Sequence, residues 1–436
     1  MPQPDGHGVA VAVVGGGITG LATAWFLRQA GATVTLYEAG ERLGGKIQTG
    51  DLDGVPVALG PDTFLARVPW AVDLCRDLGL GDELVAPATG KAYVWTRGRL
   101  RPLPAGTVLG VPARLGPLAR TGIVSPLGMA RAGLDLVLPR PRLGHDPSVA
   151  DVVGARFGAE VVDRLVEPLI GGIHAGRADR LSLASVAPQV AEPAAASRSL
   201  MRGLLEAPQE PGGPLFLGLR GGLGRLVDRL AERLDGVDVR LGSPVSELPA
   251  GPVVVTVPAP AAASLLPAAA GDLRAIEYAS VATVTLAYLF DALPGSLDGS
   301  GFLVPRVDGR LTTACTWLTS KWPELAASGR VLLRASAGCM GDDRAMALDD
   351  ATLAARLHAE LADAMGLRRE PEEALVTRWP LSFPQYDVGH AARVARIEAA
   401  LPSGVFVAGA AYRGVGIAAC VQQARQAAAA VLASAL

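Results

Sequence analysis

From Val9 to Glu38 the chain reads VAVAVVGGGITGLATAWFLRQAGATVTLYE, and no other stretch limits its fold as strongly. Val9 to Val14 is an apolar, β-branched run that predicts a strand. It stops at Gly15, Gly16 and Gly17, after which Ile18 to Ala30 places apolar residues at helical spacing until Gly31 ends the helix. A second strand is expected at Thr33 to Tyr37. Within this unit Gly15-x-Gly17-x-x-Gly20 has the spacing of a dinucleotide-binding turn. One glycine makes the tight turn, one lets backbone approach a pyrophosphate, and one lets helix and strand pack closely. The phosphates would face the helix N-terminus, with Gly16, Ile18 and Thr19 in the contacting loop. Glu38 ends the second strand, where a carboxylate can accept hydrogen bonds from ribose hydroxyls and repel a 2′-phosphate.

Two further segments narrow the ligand. In Arg42-Leu43-Gly44-Gly45-Lys46 the glycines allow backbone to pass close to an extended cofactor, and Arg42 and Lys46 can neutralise its phosphates; a plain surface turn would explain the glycine pair alone. At the far end Val405 to Val407 predicts a short strand running into Gly409, and Gly414-Val415-Gly416-Ile417 opens a long alanine-rich helix. Such a strand, glycine turn and helix aims N–H groups and a helix dipole at one spot, although an ordinary packing helix is the plainer alternative. The Arg-x-Gly-Gly-Lys turn resembles an extension that marks flavoproteins of the monoamine oxidase, phytoene desaturase and protoporphyrinogen oxidase superfamily. That resemblance implies FAD, with Gly409, Val415, Gly416 and Ile417 at the isoalloxazine carbonyl edge, where negative charge collects on reduction.

Composition bears on what else the chain can be. With 53 Gly and 33 Pro in 436 residues it is glycine-rich, yet half its residues are hydrophobic and only 19% charged, so it can offset the entropy of ordering and is globular. Its length allows two or three domains. A net charge of -2 gives no global field for nucleic acid or an anionic membrane. Cys75, Cys315, Cys339 and Cys420 are scattered without CxxC or histidine pairing, which predicts buried thiols and no metal site. No signal peptide is expected at MPQPDGHG, and Val253 to Ala270 is broken by three prolines, so no spanning helix is expected and the cytoplasm is the default location. Local charge is another matter. Between Arg97 and Arg142 lie eight arginines (Arg97, Arg99, Arg101, Arg114, Arg120, Arg131, Arg140, Arg142) and one acid, Asp135. Capture of an anionic ligand, contact with a membrane surface or partner, and solvated arginines of compositional origin all remain open for this stretch.

Gly60-Pro61-Asp62-Thr63-Phe64-Leu65-Ala66-Arg67, Glu167 to Gly176 (EPLIGGIHAG) followed by Leu181-Ser182-Leu183, Gly221-Gly222-Leu223, and Tyr412 to Ile417 (YRGVGI) together resemble the protoporphyrinogen/coproporphyrinogen oxidase family, almost end to end. Within it the chain looks most like the soluble bacterial enzymes that oxidise coproporphyrinogen III. The resemblance implies an α/β fold: a Rossmann-like FAD-binding domain of the amine oxidase/glutathione reductase type, a substrate-binding α+β domain and a helical domain. The FAD domain is expected from 1–90, 206–265 and 380–436, the helical domain from 91–205, and the substrate domain from 266–379. It further implies Gly60, Pro61, Asp62, Thr63, Val245 and Trp379 beside the cofactor, and Arg67, Gly172, Ile173, His174, Ala175 and Tyr412 beside the substrate.

His174 stands where many relatives carry an aromatic residue and is the one candidate for proton handling, with a plain wall histidine as the alternative. Ala418-Ala419-Cys420 departs from the family's Pro-Asp-Cys or Asn-Asp-Cys type, so no side-chain contact carries over there. The implied reaction is a six-electron, oxygen-dependent oxidation of coproporphyrinogen III with peroxide release, the product passing to the next haem-pathway enzyme. The rival readings are a protoporphyrinogen IX oxidase, an amine oxidase or desaturase, and a FAD-binding scaffold without turnover. Gly221 to Gly224 precedes an amphipathic helix without a preceding apolar strand, which argues against a second dinucleotide site.

Overall fold

The structure is a computed structural model that describes residues 8–139, 141, 143–207 and 212–434. Arg140 and Arg142 of the basic stretch lie outside the described residues. The expected first unit forms, as a strand at Ala10–Val14, a helix at Ile18–Gln29 and a strand at Thr33–Tyr37. These strands enter a five-stranded parallel sheet in the order 238–240, 33–37, 10–14, 253–255, 405–407. Strands distant in sequence thus lie side by side.

Alternate residues of these strands point to opposite faces, and both faces are covered, as parallel sheets require. Val11, Val13, Val34, Leu36 and Val254 pack against Ile18–Gln29, Gly224–Glu232 and the C-terminal helix Ile417–Ser434. Ala12, Val14, Val253, Val255 and Val405 pack against Ala259–Leu265, Ala270–Arg274 and His390–Ala399. Each fully buried Val or Leu here contributes roughly 1.5–3 kcal/mol. The run from Val253 becomes a strand at Val253–Val255 and short helices, and among the described residues no helix is long and apolar enough to cross a membrane.

A seven-stranded mixed sheet forms a second layer, in the order 373–384, 278–289, 330–337, 312–317, 301–303, 93–96, 99–102. Two expected boundaries cut through it. The hairpin of Tyr93–Thr96 and Arg99–Pro102, assigned by sequence to the helical region, pairs through Tyr93 and Val94 onto Phe302 and Leu303. The strand Glu373–Pro384 crosses the boundary drawn at 380. In the first case the strand Tyr93–Thr96 has no apolar/polar alternation to reveal it, since the consecutive residues Val94 and Trp95 are both buried, and its partner carries the charged Arg99 and Arg101. The reading of Gly221 to Gly224 is corrected, because an apolar strand, Phe216–Leu219, does precede it. That strand pairs antiparallel with residues 64–65 and 84–85, so it builds no parallel dinucleotide unit. Helices between Leu115 and Glu206 enclose a separate core around Leu118, Val153, Phe157, Leu165 and Val190.

Candidate functional site

The glycine loop is built by steric necessity. Gly15 sits at φ +111°, in the left-handed region open to glycine, and its N–H donates to the Tyr37 carbonyl at 2.7 Å. A Cβ on Gly20 would overlap the Gly15 carbonyl, which is the close helix–strand packing expected of the third glycine. A Cβ on Gly17 would meet nothing within 4 Å, and the same holds for Gly416 at the other end of the chain. Thr256, unforeseen from sequence, donates its hydroxyl to the carbonyls of Val14 (2.9 Å) and Gly15 (3.0 Å) and locks the turn. The Glu38 carboxylate accepts from Gly16 N–H at 2.6 Å and Gly40 N–H at 2.8 Å, and so stands at the loop itself. Ile18 packs on the core, and Thr19 is buried with its carbonyl bonded to Thr23.

The Arg42–Lys46 turn docks on this loop. Gly44 N–H donates to Gly16 O at 2.8 Å, and Gly44 and Gly45 hold φ of +97° and +57°. Both cations have partners within the protein. Arg42 donates to the carbonyls of Leu43 and Gly45 and to Gln48, bracing its own turn, while the Lys46 ammonium bonds the Ser382 carbonyl on the second sheet.

The 60–63 loop meets the same turn, since a Cβ on Gly60 would overlap the Lys46 carbonyl. Here too a side chain has partners within the protein. Asp62 accepts from Lys321 (2.9 and 3.0 Å) and Trp322 (3.2 Å) and lies 3.6 Å from Arg334. Although burial disfavours its charge, these cations hold the carboxyl down at about 2. Arg334 also donates to Ala58 O and Gly60 O, so residues of the second sheet clamp this loop and leave its backbone, with Pro61 and Thr63, as what it can offer a ligand. Trp379 donates to Leu59 O at 3.3 Å beside Gly60, and Val245 packs in the cluster containing Tyr37.

The C-terminal turn joins the strand Val405–Val407 to the helix Ile417–Ser434. Gly409 and Gly414 hold φ of +128° and +123°, and Gly409 N–H donates to buried Gln423 at 3.2 Å. Tyr386 donates to Ala410 O and accepts from Gly414 N–H, both at 2.7 Å, and His390 Nε2 lies 2.8 Å from Tyr412 O. None of Tyr386, His390 and Gln423 was expected here. The run Pro384-Gln385-Tyr386 through Gly389-His390, polar and aromatic directly after a strand, is the signal that could have found the first two.

On the substrate side, the helix Glu167–His174 ends at Ala175 with φ +48°. A Cβ on Gly172 would touch Leu303, and Ile173 is 41% exposed. Two expected contacts point elsewhere. His174 is 6% exposed, its Nδ1 has no partner, and burial pushes its pKa down to about 4, so it is neutral near pH 7. Tyr412 is buried in the core between the parallel sheet and its flanking helices, and its hydroxyl lacks a partner. In both cases apolar packing has drawn the ring inward. Ala175 packs with Ala279 and Val281, and Arg67 is exposed on the 60–67 loop.

The basic stretch divides. Arg97 pairs with Glu160, Arg101 donates to Thr96 and Thr121 carbonyls, and Arg131 donates to the carbonyls of Gly154, Ala155 and Arg156. Arg99, Arg114 and Arg120 are exposed. The lone acid, Asp135, is fully buried against Ser199 and Arg156.

A parallel sheet with two glycine turns brought together, Gly409 lying beside Thr19 and Thr256, and with an acid at the end of the second strand, defines a dinucleotide-binding protein. The family of flavin-containing amine oxidoreductases matches residues 18–432. Coproporphyrinogen III oxidase of Bacillus subtilis (strain 168) is 38% identical, over 96% of each chain. The chloroplastic protoporphyrinogen oxidase of Nicotiana tabacum is 29% identical, over 94% of this chain and 83% of that one. A solved structure from Exiguobacterium sp. 255-15 superposes with a TM-score of 0.87 at 33% identity, covering 98% of this chain and 99% of that one. This chain belongs to the flavin-containing amine oxidoreductases and, within them, to the protoporphyrinogen/coproporphyrinogen oxidase family. It is an FAD-dependent oxidase.

Proposed function

We propose that this enzyme oxidises coproporphyrinogen III to coproporphyrin III, removing six electrons in three two-electron steps, with oxygen as the acceptor and peroxide as its product. The similarity to bacterial coproporphyrinogen III oxidases over nearly the whole chain supports this substrate more than any single residue does. FAD, when bound, supplies the two-electron acceptor. The chain's own part is to bind and orient. Glu38 would hold the ribose hydroxyls, the loop of Gly15, Gly16 and Gly17 with the helix N-terminus behind it the pyrophosphate, and the N–H groups around Val415, Gly416 and Ile417 the electron-rich edge of the ring. Gly44 and Gly45, the backbone at Gly60 to Thr63, Val245 and Trp379 complete the cofactor walls.

Gly172 and Ile173 form the substrate wall in this reading, and Arg67 meets a propionate, since a carboxylate pairs best with a guanidinium. The lone pairs of pyrrole nitrogens assist hydride loss, so no strong side-chain base is required. His174, neutral and buried, then serves as packing behind the wall, and His174→Phe is expected to leave the pH profile of kcat unchanged; a displaced profile would return it to proton handling. The division into an FAD domain, a helical domain and a substrate domain, action in the cytoplasm, and transfer of the porphyrin to the next haem-pathway enzyme belong to the same proposal.

Turnover of the purified enzyme on coproporphyrinogen III and on protoporphyrinogen IX, followed by porphyrin fluorescence with peroxide measured alongside, tests it. Preference for protoporphyrinogen IX would sink the substrate assignment. A yellow protein that does not bleach with either porphyrinogen would be a binder and no oxidase.

A further inference from the structure

We infer that Tyr386 and His390 are positioning residues for the cofactor: they lock the 409–414 turn so that the N–H groups opening the C-terminal helix stay aimed at the reduced ring. The inference rests on the FAD-oxidase reading above. Tyr386 is 1% exposed, and its hydroxyl is spent twice on the turn, donating to Ala410 O and accepting from Gly414 N–H. The His390 ring stacks on Tyr386 with centroids 3.9 Å apart and planes 11° apart. Its Nε2 faces the Tyr412 carbonyl, which can only accept, so the proton sits on Nε2. Nδ1 is then a bare acceptor, and it has no partner. Burial, the largest influence on His390, favours this neutral form.

Two side chains from one segment therefore hold Ala410, Tyr412 and Gly414. The turn needs such an external clamp because Gly414, at φ +123°, has wide conformational freedom of its own. The turn opens into a helix whose first N–H groups have no intrahelical partner and whose dipole favours negative charge. Reduced flavin carries more negative charge at its carbonyl edge than oxidised flavin does. A loosened turn should accordingly cost the reduced form more.

Tyr386→Phe keeps the ring and its stacking while removing both hydroxyl bonds. The ratio of affinities for reduced and oxidised flavin is expected to fall about tenfold, read as a midpoint potential about 30 mV lower for the two-electron couple. Amide exchange over residues 410–416, followed by mass spectrometry, should quicken in the same variant, and kcat should fall with KM for the porphyrinogen unchanged. His390→Gln, which retains a terminal N–H without the stacked ring, should shift potential and exchange in the same direction by less, and it carries the test should Tyr386→Phe not fold. An unchanged potential together with unchanged exchange in a folded variant overturns the inference. If the wild type binds FAD and the variants behave as expected while neither porphyrinogen is oxidised, the substrate assignment fails and the inference stands.

Discussion

The two glycine turns of the parallel sheet look alike in outline and are held by different means. At residues 15–20 the glycines themselves set the geometry: helix and strand approach until a single methyl group on Gly20 would overlap Gly15. At residues 409–416 the glycines supply freedom, and side chains from elsewhere remove it, namely Tyr386, His390 and Gln423. The first turn is thus specified by local sterics and the second by tertiary contacts. The N-terminal turn tolerates no methyl group at Gly20, whereas its C-terminal counterpart depends on partners that must already be in place.

The largest expected effect breaks the first turn. Gly20→Ala should destabilise the protein by about 3 kcal/mol and yield protein without bound flavin, because backbone has no means to yield. Urea unfolding and the visible spectrum of the purified protein check both. Gly414→Ala should cost less, about 2 kcal/mol, since its Cβ would approach the Ala419 methyl at 2.5 Å and the strained φ adds to that. If Gly414→Ala proved the more damaging, the distinction between the two turns would be reversed.

The 60–63 loop extends the comparison, for it too is clamped by side chains, here ionic. Asp62 is held at about 2 against an ordinary value of 3.8, chiefly by Arg334 and Lys321 working against burial. A carboxyl depressed in the folded state contributes stability that is whole above 3.8 and is lost as pH falls toward 2, an effect of about 2 kcal/mol. Urea unfolding between about pH 5 and 2.5 should show this slope in the wild type and a flatter one in Asp62→Asn. An equally steep Asn variant would place the acid sensitivity elsewhere.

Legibility in the sequence divides along the same line. The first β-loop-α-β unit is readable because period and glycine spacing are local, and its strand, helix and second strand form within a residue of their expected bounds. The bond from Lys46 to the Ser382 carbonyl is invisible in the sequence because the two residues lie 336 positions apart. His174 and Tyr412 lie in family motifs, but which way a side chain turns depends on the surrounding core, and both turn inward. The clamp residues carry no motif-like spacing relative to the turns they hold. Their roles appear only when the strands at 373–384 and 405–407 are placed in their two sheets.

Thr256 offers the smallest and most discriminating perturbation, since its hydroxyl, like the Glu38 carboxylate, reaches into the sterically defined turn. Its hydroxyl bonds Val14 O and Gly15 O, but Val14 O also accepts from the Thr256 backbone N–H at 2.8 Å. Only Gly15 O would lose its partner on substitution, so Thr256→Val, which preserves shape, should cost about 1 kcal/mol. Because Gly15 and Gly20 are fixed by packing, flavin affinity should change by less than about threefold, against about tenfold for loss of the Tyr386 hydroxyl at the reduced cofactor. Titrating oxidised flavin, and reduced flavin under anaerobic conditions, back into apoprotein of both variants measures the contrast. A Thr256→Val protein that lost flavin as readily as Tyr386→Phe would mean that the N-terminal turn, like the C-terminal one, is held by side-chain hydrogen bonds more than by the shape of its glycines.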